Sequence, residues 1–358
     1  MSALLTATLC LTCVDAKALT ESEQRARILF ETRERETRLE QLGFVVRDDA
    51  LDAYLQSVID RLYPGHVLRV RLLKDLEPNA FAVATGNVYV HTGMLLRVRD
   101  EAELAAVLAH EGAHVLRDHM YRGVIDAKGL GGLAVVVPLL GPLMAYSSMA
   151  GYSRDLEREA DRVGYEHLVA AGYDGRAAAP VFTRLAAEVV ARGIKEPYFF
   201  ADHPKLLERV KNFDELAAEA PPGDRGIERY TDETRARRTS ALEDVHEKRD
   251  GSMLVAVLSE DGRAETYAPA GYFLLGEGYR LRARDGDEAQ ALAAYDRSIT
   301  LYPDYGPAYG ARGRLHARRG EKADAVSDLS MFIRLAPDAR ETPFAKQTLE
   351  RLRQENPP

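Results

Sequence analysis

The stretch DEAELAAVLAHEGAHVL, residues 100–116, decides how the rest of the chain is interpreted. It begins with an acidic residue followed three positions later by Glu103, which is typical of a helix N-terminus. Apolar residues then recur at helical spacing from Leu104 to Val115. We therefore predict one helix with an apolar face. The pattern His-Glu-x-x-His, at residues 110–114, lies inside this helix.

His110 and His114 are four positions apart, so their imidazoles lie on one face of the helix and both can reach one metal ion. Glu111 projects about a hundred degrees around the helix, where it can reach an attacking water as a general base. Chance recurrence of His and Glu on a charged helix is the alternative. Packing alone, however, gives no reason to place two histidines beside an apolar face, because buried histidines need partners.

A catalytic zinc ion takes three protein ligands and leaves one position to water, so a third ligand is needed. The cysteines, Cys10 and Cys13, precede the folded body, and the ligand must therefore be His, Asp or Glu. The residues alone separate Glu157 only weakly from Glu159, and a solvated helix face accounts for either. Two histidines and one carboxylate also suit iron.

At this point the chain resembles the HtpX-like and CAAX-prenyl-protease family of gluzincins, peptidase family M48, in which a second helix carries Glu-x-x-Ala-Asp. Residues 157–161 read Glu-Arg-Glu-Ala-Asp here. The resemblance spans about residues 45–215. It implies one Zn²⁺ ion per chain, held by His110, His114 and Glu157. It further implies that Asp161, one turn after Glu157, orients a ligand histidine.

Asn79, Ala80 and Phe81 also match the family. They resemble its substrate-side strand, at whose exposed edge an extended peptide can add its backbone. The other interpretation is that these residues belong only to the core of a hairpin.

His203 and Pro204 resemble a family motif. In periplasmic, barrel-assembly-enhancing members its histidine can occupy the open zinc position and keep the enzyme latent. His203 could equally stabilise the oxyanion, or cap a helix opened by Pro204. Arg209 also matches the family pattern. An arginine at such a position more often forms a structural salt bridge than takes part in catalysis.

Gly112 departs from the family pattern, because relatives usually have a bulky apolar residue after the glutamate of His-Glu-x-x-His. Glycine inside a helix costs about 1 kcal/mol relative to alanine. We therefore expect a close neighbour to need the space that a side chain at Gly112 would fill.

The chain has 358 residues, of which 46% are hydrophobic, and is long enough for two domains. Its 48 basic and 56 acidic residues give a net charge of -8 without a long basic block, so nucleic acid is not an expected partner. We predict an α+β fold, with a mainly helical gluzincin metallopeptidase domain and a small β-sheet at residues 17–220. Its early elements are a helix from Thr20 to Leu42, a strand at 66–73 and a hairpin at 79–91.

Residues 221–267 are polar and charged, which predicts a linker. Beyond it the sequence repeats with a period of 34, the period of tetratricopeptide (TPR) helix pairs. We predict an all-α TPR-like array at residues 268–358, whose concave face docks a protein or peptide partner. The repeat pairs Gly286 with Gly320, Ala291 with Ala325, Ile299 with Ile333, Leu301 with Leu335, Pro303 with Pro337, and Asp304 with Asp338.

Residues 1–16 resemble the remnant of a signal peptide, because an apolar run ends in Val14-Asp15-Ala16, which has the spacing of a signal-peptidase site. No basic residue precedes Lys17, which departs from that pattern. A lipidated Cys13 is the alternative. We expect an exported, periplasmic protein.

Residues 129–153 carry no charge, yet they include five glycines and two prolines. Their length could cross a bilayer, but their composition favours a flap or hairpin that associates peripherally with a membrane. True membrane insertion is the alternative.

Together these features predict a zinc-dependent metalloendopeptidase that cleaves misfolded or misassembled envelope proteins in protein quality control, with the repeats docking substrate or partner. The alternative is a chaperone or assembly adaptor in which the repeats act and the zinc site is latent.

Overall fold

The computed structural model describes residues 20–123, 154–192 and 206–354, apart from residues 219, 221 and 261. The described chain is mainly helical and contains a three-stranded sheet, which confirms the predicted α+β class. The predicted signal peptide, the uncharged segment at 129–153 and the His203-Pro204 motif lie outside the described residues. No described helix is both long enough and apolar enough to cross a membrane.

Helix α1, Glu21–Gln41, is the predicted lead-in helix. Thr20 caps it, and its hydroxyl accepts from the Glu23 N–H while Glu23 accepts from the Thr20 N–H. In its second half, Glu36 Oε1 accepts three hydrogen bonds from the hairpin that follows. The donors are Thr85 Oγ1, Asn87 Nδ2 and Tyr89 OH, at 2.7 to 3.0 Å.

The sheet follows helix α2, Asp49–Leu62. Its strands are β1, Arg69–Leu73, β2, Ala80–Ala82, and β3, Asn87–His91, in the spatial order β1-β3-β2. Strand β3 is antiparallel to β2 and parallel to β1. The predicted strand and hairpin are therefore confirmed, and β2 lies at an edge of the sheet.

Helix α4, Glu101–Leu116, follows the short α3, Thr92–Arg97, and contains the His-Glu-x-x-His pattern as predicted. Asp100 caps it by accepting from the Glu103 N–H at 2.9 Å. Every residue of α4 from 101 to 114 is buried, so this helix is central to the core.

Helices α5, Arg154–Ala170, and α6, Ala178–Arg192, pack against α4, and α7, Leu206–Ala217, packs against α5 and α6. The approach of α5 to α4 needs Gly164, because a Cβ there would lie 2.9 Å from the backbone of Ala109 and His110. This close packing brings the helix that carries Glu157 next to the two histidines.

Most of the segment predicted as a linker is helical. It forms α8, Ile227–Glu247, and α9, Gly251–Leu258. Tyr230 is fully buried in the core around α4, and Arg229 pairs with the buried Glu101 at 2.9 Å. The polar composition suggested a linker because the charged residues of α8 are mostly on its exposed face, whereas its few apolar residues are enclosed by distant parts of the chain.

The C-terminal helices are α10, Ala270–Arg282, α11, Asp287–Leu301, α12, Gly306–Arg319, α13, Lys322–Leu335, and α14, Thr342–Gln354. Each packs against the next along the chain. Gly286 and Gly320, one period apart, both have positive φ, +83° and +78°, and each precedes the second helix of a pair.

Candidate metal centre

Three buried side chains from two helices converge beneath the sheet edge. His110 and His114 project from α4, and their Nε2 atoms are 3.0 Å apart. Glu157, in the first turn of α5, places Oε2 3.6 Å from His110 Nε2 and Oε1 3.5 Å from His114 Nε2. The three residues thus offer one donor atom each within 4.8 Å of one another. Glu159, the carboxylate that the sequence left as an alternative, is not part of this group.

The donor spacing fits a zinc ion. Nitrogen donors lie about 2.1 Å from zinc, so two donors in a tetrahedral site are about 3.4 Å apart. The observed separations of 3.0, 3.5 and 3.6 Å lie on either side of that value. Two imidazoles and a carboxylate also form a donor set that leaves one position open for catalysis.

Asp161 and Arg209 lie directly behind His110. Asp161 Oδ1 is 3.0 Å from His110 Nδ1 and accepts from Arg209 Nε and Nη2 at 3.0 and 2.9 Å. All three side chains are buried. Burial acts to lower the pKa of Arg209, but Asp161, Glu157 and Glu111 raise it, so the guanidinium remains charged. This arrangement can hold the His110 ring with Nε2 directed at a metal.

A further histidine, which the sequence analysis did not single out, lies behind His114. His119 is fully buried, and its Nδ1 is 2.9 Å from His114 Nδ1. Its Nε2 is 3.3 Å from Glu159 Oε2, which also accepts from Arg122 at 2.9 Å. Burial lowers the pKa of His119 and so favours its neutral ring. The available signal was a histidine five positions after His114, but it lies past the end of α4, where helical spacing no longer applies.

Glu111 is held against the sheet edge. Its Oε2 accepts from the backbone N–H of Ala82, in β2, at 3.0 Å, and the side chain is buried. Of the residues predicted as a substrate strand, Ala80 lies in β2 with Ala82, and Phe81 stacks on Tyr89 at 5.3 Å between ring centroids. Asn79 accepts the His91 N–H through its backbone carbonyl. Strand β2 therefore contributes to a core, and its outer edge faces α4.

Residues 47–217 match the sequence model of peptidase family M48. The chain carries a peptidase family M48 domain. The match agrees with the extent of the resemblance inferred from the motifs, about residues 45–215.

Three relatives illustrate the similarity of the M48 domain to known proteins. A Vibrio cholerae protein provisionally named a beta-barrel assembly-enhancing protease is 33% identical over 201 residues, 50% of this chain and 41% of the relative. The beta-barrel assembly-enhancing protease of Escherichia coli is 29% identical over 45% of this chain and 37% of the relative. The mitochondrial metalloendopeptidase OMA1 of Schizosaccharomyces pombe is 30% identical over 42% and 47%, respectively.

The family and these names identify the M48 domain as a metalloprotease domain. The chain spans less than half the length of each of these three relatives.

Proposed function

We propose that the chain is a zinc-dependent endopeptidase. The observation that carries this proposal is the convergence of His110, His114 and Glu157, with Glu111 on the same helix held against a sheet edge. The three donors would hold the zinc ion, and Glu111, which is not a donor, would act as general base. Asp161 and Arg209 would keep the His110 ring in the orientation that metal binding needs.

A zinc ion at this site would lower the pKa of a water molecule to about 7 and polarise the scissile carbonyl. Glu111 accepts the proton of the attacking water and returns it to the leaving amine. The Ala82 N–H fixes one carboxylate oxygen of Glu111, which limits rotation of the side chain. The base is thereby oriented before substrate arrives.

The outer edge of β2 is the proposed binding place for the substrate backbone. Residues 79 and 83 form backbone hydrogen bonds with β3, so the backbone groups of Ala80 and Ala82 point away from that strand; of these groups, the Ala82 N–H donates to Glu111. An extended peptide can add to such an edge by main-chain hydrogen bonds, which suits a peptidase that accepts varied sequences.

The test separates metal binding from proton transfer. Glu111→Gln should keep one zinc ion per chain and lose at least about a hundredfold in kcat on an unfolded protein such as casein, because the general base is removed. His110→Ala should lose the zinc itself. Metal analysis and cleavage assays on the same preparations measure both. A Glu111→Gln protein with full activity would contradict the assignment.

We further propose that the substrates are misfolded or misassembled envelope proteins and that α10 to α14 form a TPR-like array that docks them or a partner. The sequence period of 34 and the names of the bacterial relatives support this. An exported, periplasmic location, with peripheral membrane association through 129–153, belongs to the same proposal.

His203 supplies the test for latency. If His203 occupies the open zinc position, His203→Ala should cleave casein faster than the wild-type protein. If neither protein cleaves while both contain zinc, the adaptor function would be favoured instead.

A further inference from the structure

The two metal-binding histidines are supported in different ways. His110 is held through its Nδ1 by a carboxylate, Asp161. His114 is held through its Nδ1 by a second imidazole, that of His119. We propose that His119 is a positioning residue that fixes the tautomer and ring orientation of His114, and that Glu159 in turn holds His119. This inference rests on the proposed zinc site.

The hydrogen positions follow from the metal-binding geometry. If His114 binds zinc through Nε2, that nitrogen needs its lone pair, so a neutral His114 carries its proton on Nδ1. The 2.9 Å contact then requires His119 Nδ1 to accept that proton. His119 must consequently carry its own proton on Nε2, which is the atom 3.3 Å from Glu159 Oε2. Because a carboxylate can only accept, this proton on Nε2 faces an oxygen that can receive a hydrogen bond.

The backbone is shaped to make this contact. Helix α4 ends at Leu116, and Asp118 adopts a positive φ of 53°, in the left-handed region that non-glycine residues seldom occupy. After this turn, His119 lies against the face of α4 that carries His114. Glu159 is anchored by Arg122 at 2.9 Å, so the support reaches from α5 back to the same turn.

The experiment measures zinc affinity by competition with a chelator. His119→Leu removes the acceptor at similar volume and should weaken zinc binding about 10- to 100-fold, the usual effect of losing such a partner. His119→Asn places a side-chain oxygen near the position of Nδ1 and should restore most of that loss. Glu159→Ala should weaken binding by a smaller factor, because His119 stays but loses its acceptor.

Glu166→Ala is the matched control. It removes a carboxylate that pairs with Arg162 on the same helix but is exposed, so zinc affinity should not change. The melting temperature of each metal-free protein separates a loss of zinc affinity from a loss of folding. Equal zinc affinity in His119→Leu and wild type, or equal weakening by Leu and Asn, would overturn the positioning role. A wild-type protein that binds no zinc would overturn the proposed function and this role with it.

A separate observation concerns substrate selection. A cavity of about 130 Å³ lies beside His114 and is closed on one side by α1. Ile28 and Leu29 of α1 line it, together with residues in the last turn of α4 and residues that follow β2 and α4. These other lining residues include Val83, Ala84, Val115, Met120 and Tyr121.

Helix α1 is fixed on both sides of Ile28 and Leu29 along the chain. Near its start, Arg25 pairs with Asp118 at 3.1 Å and stacks on the ring of Tyr121 at 4.0 Å. Further along, Glu36 is bound to the hairpin by three hydrogen bonds. These contacts fix the position of α1, and with it the side of the cavity that Leu29 forms.

The geometry points to this cavity as the subsite for an apolar substrate side chain near the scissile bond, with α1 as its specificity-determining wall. A peptide added to the edge of β2 would run past Ala82 to Val83, which lines the cavity, and His114 is adjacent. Like the role of His119, this subsite rests on the proposed peptidase activity.

The test compares kcat/KM for peptides that differ only in the size of one side chain, Ala, Leu or Phe, at each position near the cleaved bond. Leu29→Trp should narrow the cavity and reduce the preference for Phe over Ala about tenfold at one position. Phe30→Ala is the control. The Phe30 side chain lies on the same helix but is 65% exposed, so its removal should leave the preference unchanged. An unchanged preference in Leu29→Trp, or an equal rise in kcat/KM for all peptides, would overturn the subsite. No cleavage by the wild-type protein would overturn the proposed function as well.

Discussion

Gly112 of α4 shows how a neighbouring side chain restricts the residue type at a single position. A Cβ at this residue would lie 2.2 Å from Cε2 of the Tyr63 ring, far closer than two carbons can approach. Tyr63 is itself fixed, because its hydroxyl donates to the carbonyl of Ala109 on the same helix. The expectation that a close neighbour needs the space beside Gly112 is therefore confirmed, and the neighbour is Tyr63.

Gly112→Ala should lower the stability of the protein in spite of the better helix propensity of alanine. The propensity gain is about 1 kcal/mol, whereas forcing a methyl group into a filled core costs about 1 to 3 kcal/mol. The buried ring of Tyr63 has little room to move, so we expect a net loss of about 1 kcal/mol or more in the free energy of unfolding. Urea unfolding of wild type and variant measures it.

The control for Gly112→Ala is a double-mutant cycle with Tyr63→Leu. If the clash is the cause, alanine at position 112 should cost much less once the ring is gone. An equal cost in both backgrounds would assign the effect to something other than Tyr63.

At the scale of the elements, one buried carboxylate joins three helices. Glu277 lies on α10 and accepts from His246 of α8 at 3.0 Å. Arg280, one turn further along α10, donates to both of its oxygens, and the Tyr295 hydroxyl of α11 donates to Oε1. Burial acts to raise the pKa of Glu277, but these hydrogen bonds hold it far below its ordinary value. Glu277 thus links the segment first predicted as a linker to the C-terminal helices.

Glu277→Gln should destabilise the protein by about 2 kcal/mol, because hydrogen bonds to a buried charge are lost and Arg280 loses its anion. Thermal or urea unfolding of the full chain measures this effect. Glu288→Gln is the control, since Glu288 also pairs with an arginine, Arg319, but on the exposed surface, where such pairs contribute about 0 to 1 kcal/mol. Equal effects of the two substitutions would contradict the linking role.

The contribution of Glu277 should depend on pH. Its folded-state pKa is lowered from an ordinary value of 4.5, so its stabilising effect is fully present above that pH. As the pH falls below about 4.5, the Glu277 carboxylate is protonated in the unfolded state but stays ionised in the folded state. The contribution of Glu277 to the free energy of unfolding therefore decreases. The difference in unfolding free energy between wild type and Glu277→Gln should therefore be constant near pH 7 and decrease below about pH 4.5. A difference that grows in acid would contradict this.

At the scale of the whole molecule, α8 belongs to two apolar cores at once. Its Tyr230 is buried in the core around α4, whereas Leu242 and Val245 pack with Leu96 of α3 and with α9 and α10. Its hydrogen bonds also cross between the two parts, since the Tyr230 hydroxyl donates to the carbonyl of Leu95. The M48 domain and the C-terminal helices therefore share a continuous packed interface among the described residues.

A chain that ends at residue 220, where the sequence predicted the domain to end, should be much less stable than the full protein. It would expose Leu96 and leave the carbonyls of Leu95, Leu96 and Val98 without the donors that Tyr230 and Arg263 supply. Water can reach these carbonyls once the covering segment is gone, so most of the cost comes from the apolar surface that is no longer buried.

A chain that ends at residue 302 is the matched comparison, because it keeps α8 to α11 and removes only later helices. Its M48 domain should stay folded and retain zinc, as measured by circular dichroism and metal analysis. Equal stability of the two shortened chains would contradict the shared core.

Several elements could be predicted because their signals in the sequence are local. The apolar spacing and the Asp100 cap fix α4, and four-residue spacing puts His110 and His114 on one face of it. The helix predicted from Thr20 to Leu42 is α1, Glu21–Gln41. The choice of Glu157 needed the family resemblance as well, since spacing alone separated it only weakly from Glu159. Such features are readable because they depend on residues within about one helical turn of each other.

Contacts between residues that are distant in the sequence could not be predicted and were seen only in the folded protein. The fold places His119 against His114 through a left-handed turn at Asp118, and puts the ring of Tyr63 where Gly112 leaves room. The polar stretch predicted as a linker also contains α8, which is buried on one face. Each of these outcomes depends on packing between segments far apart in the chain, where burial and hydrogen bonding override local composition and spacing.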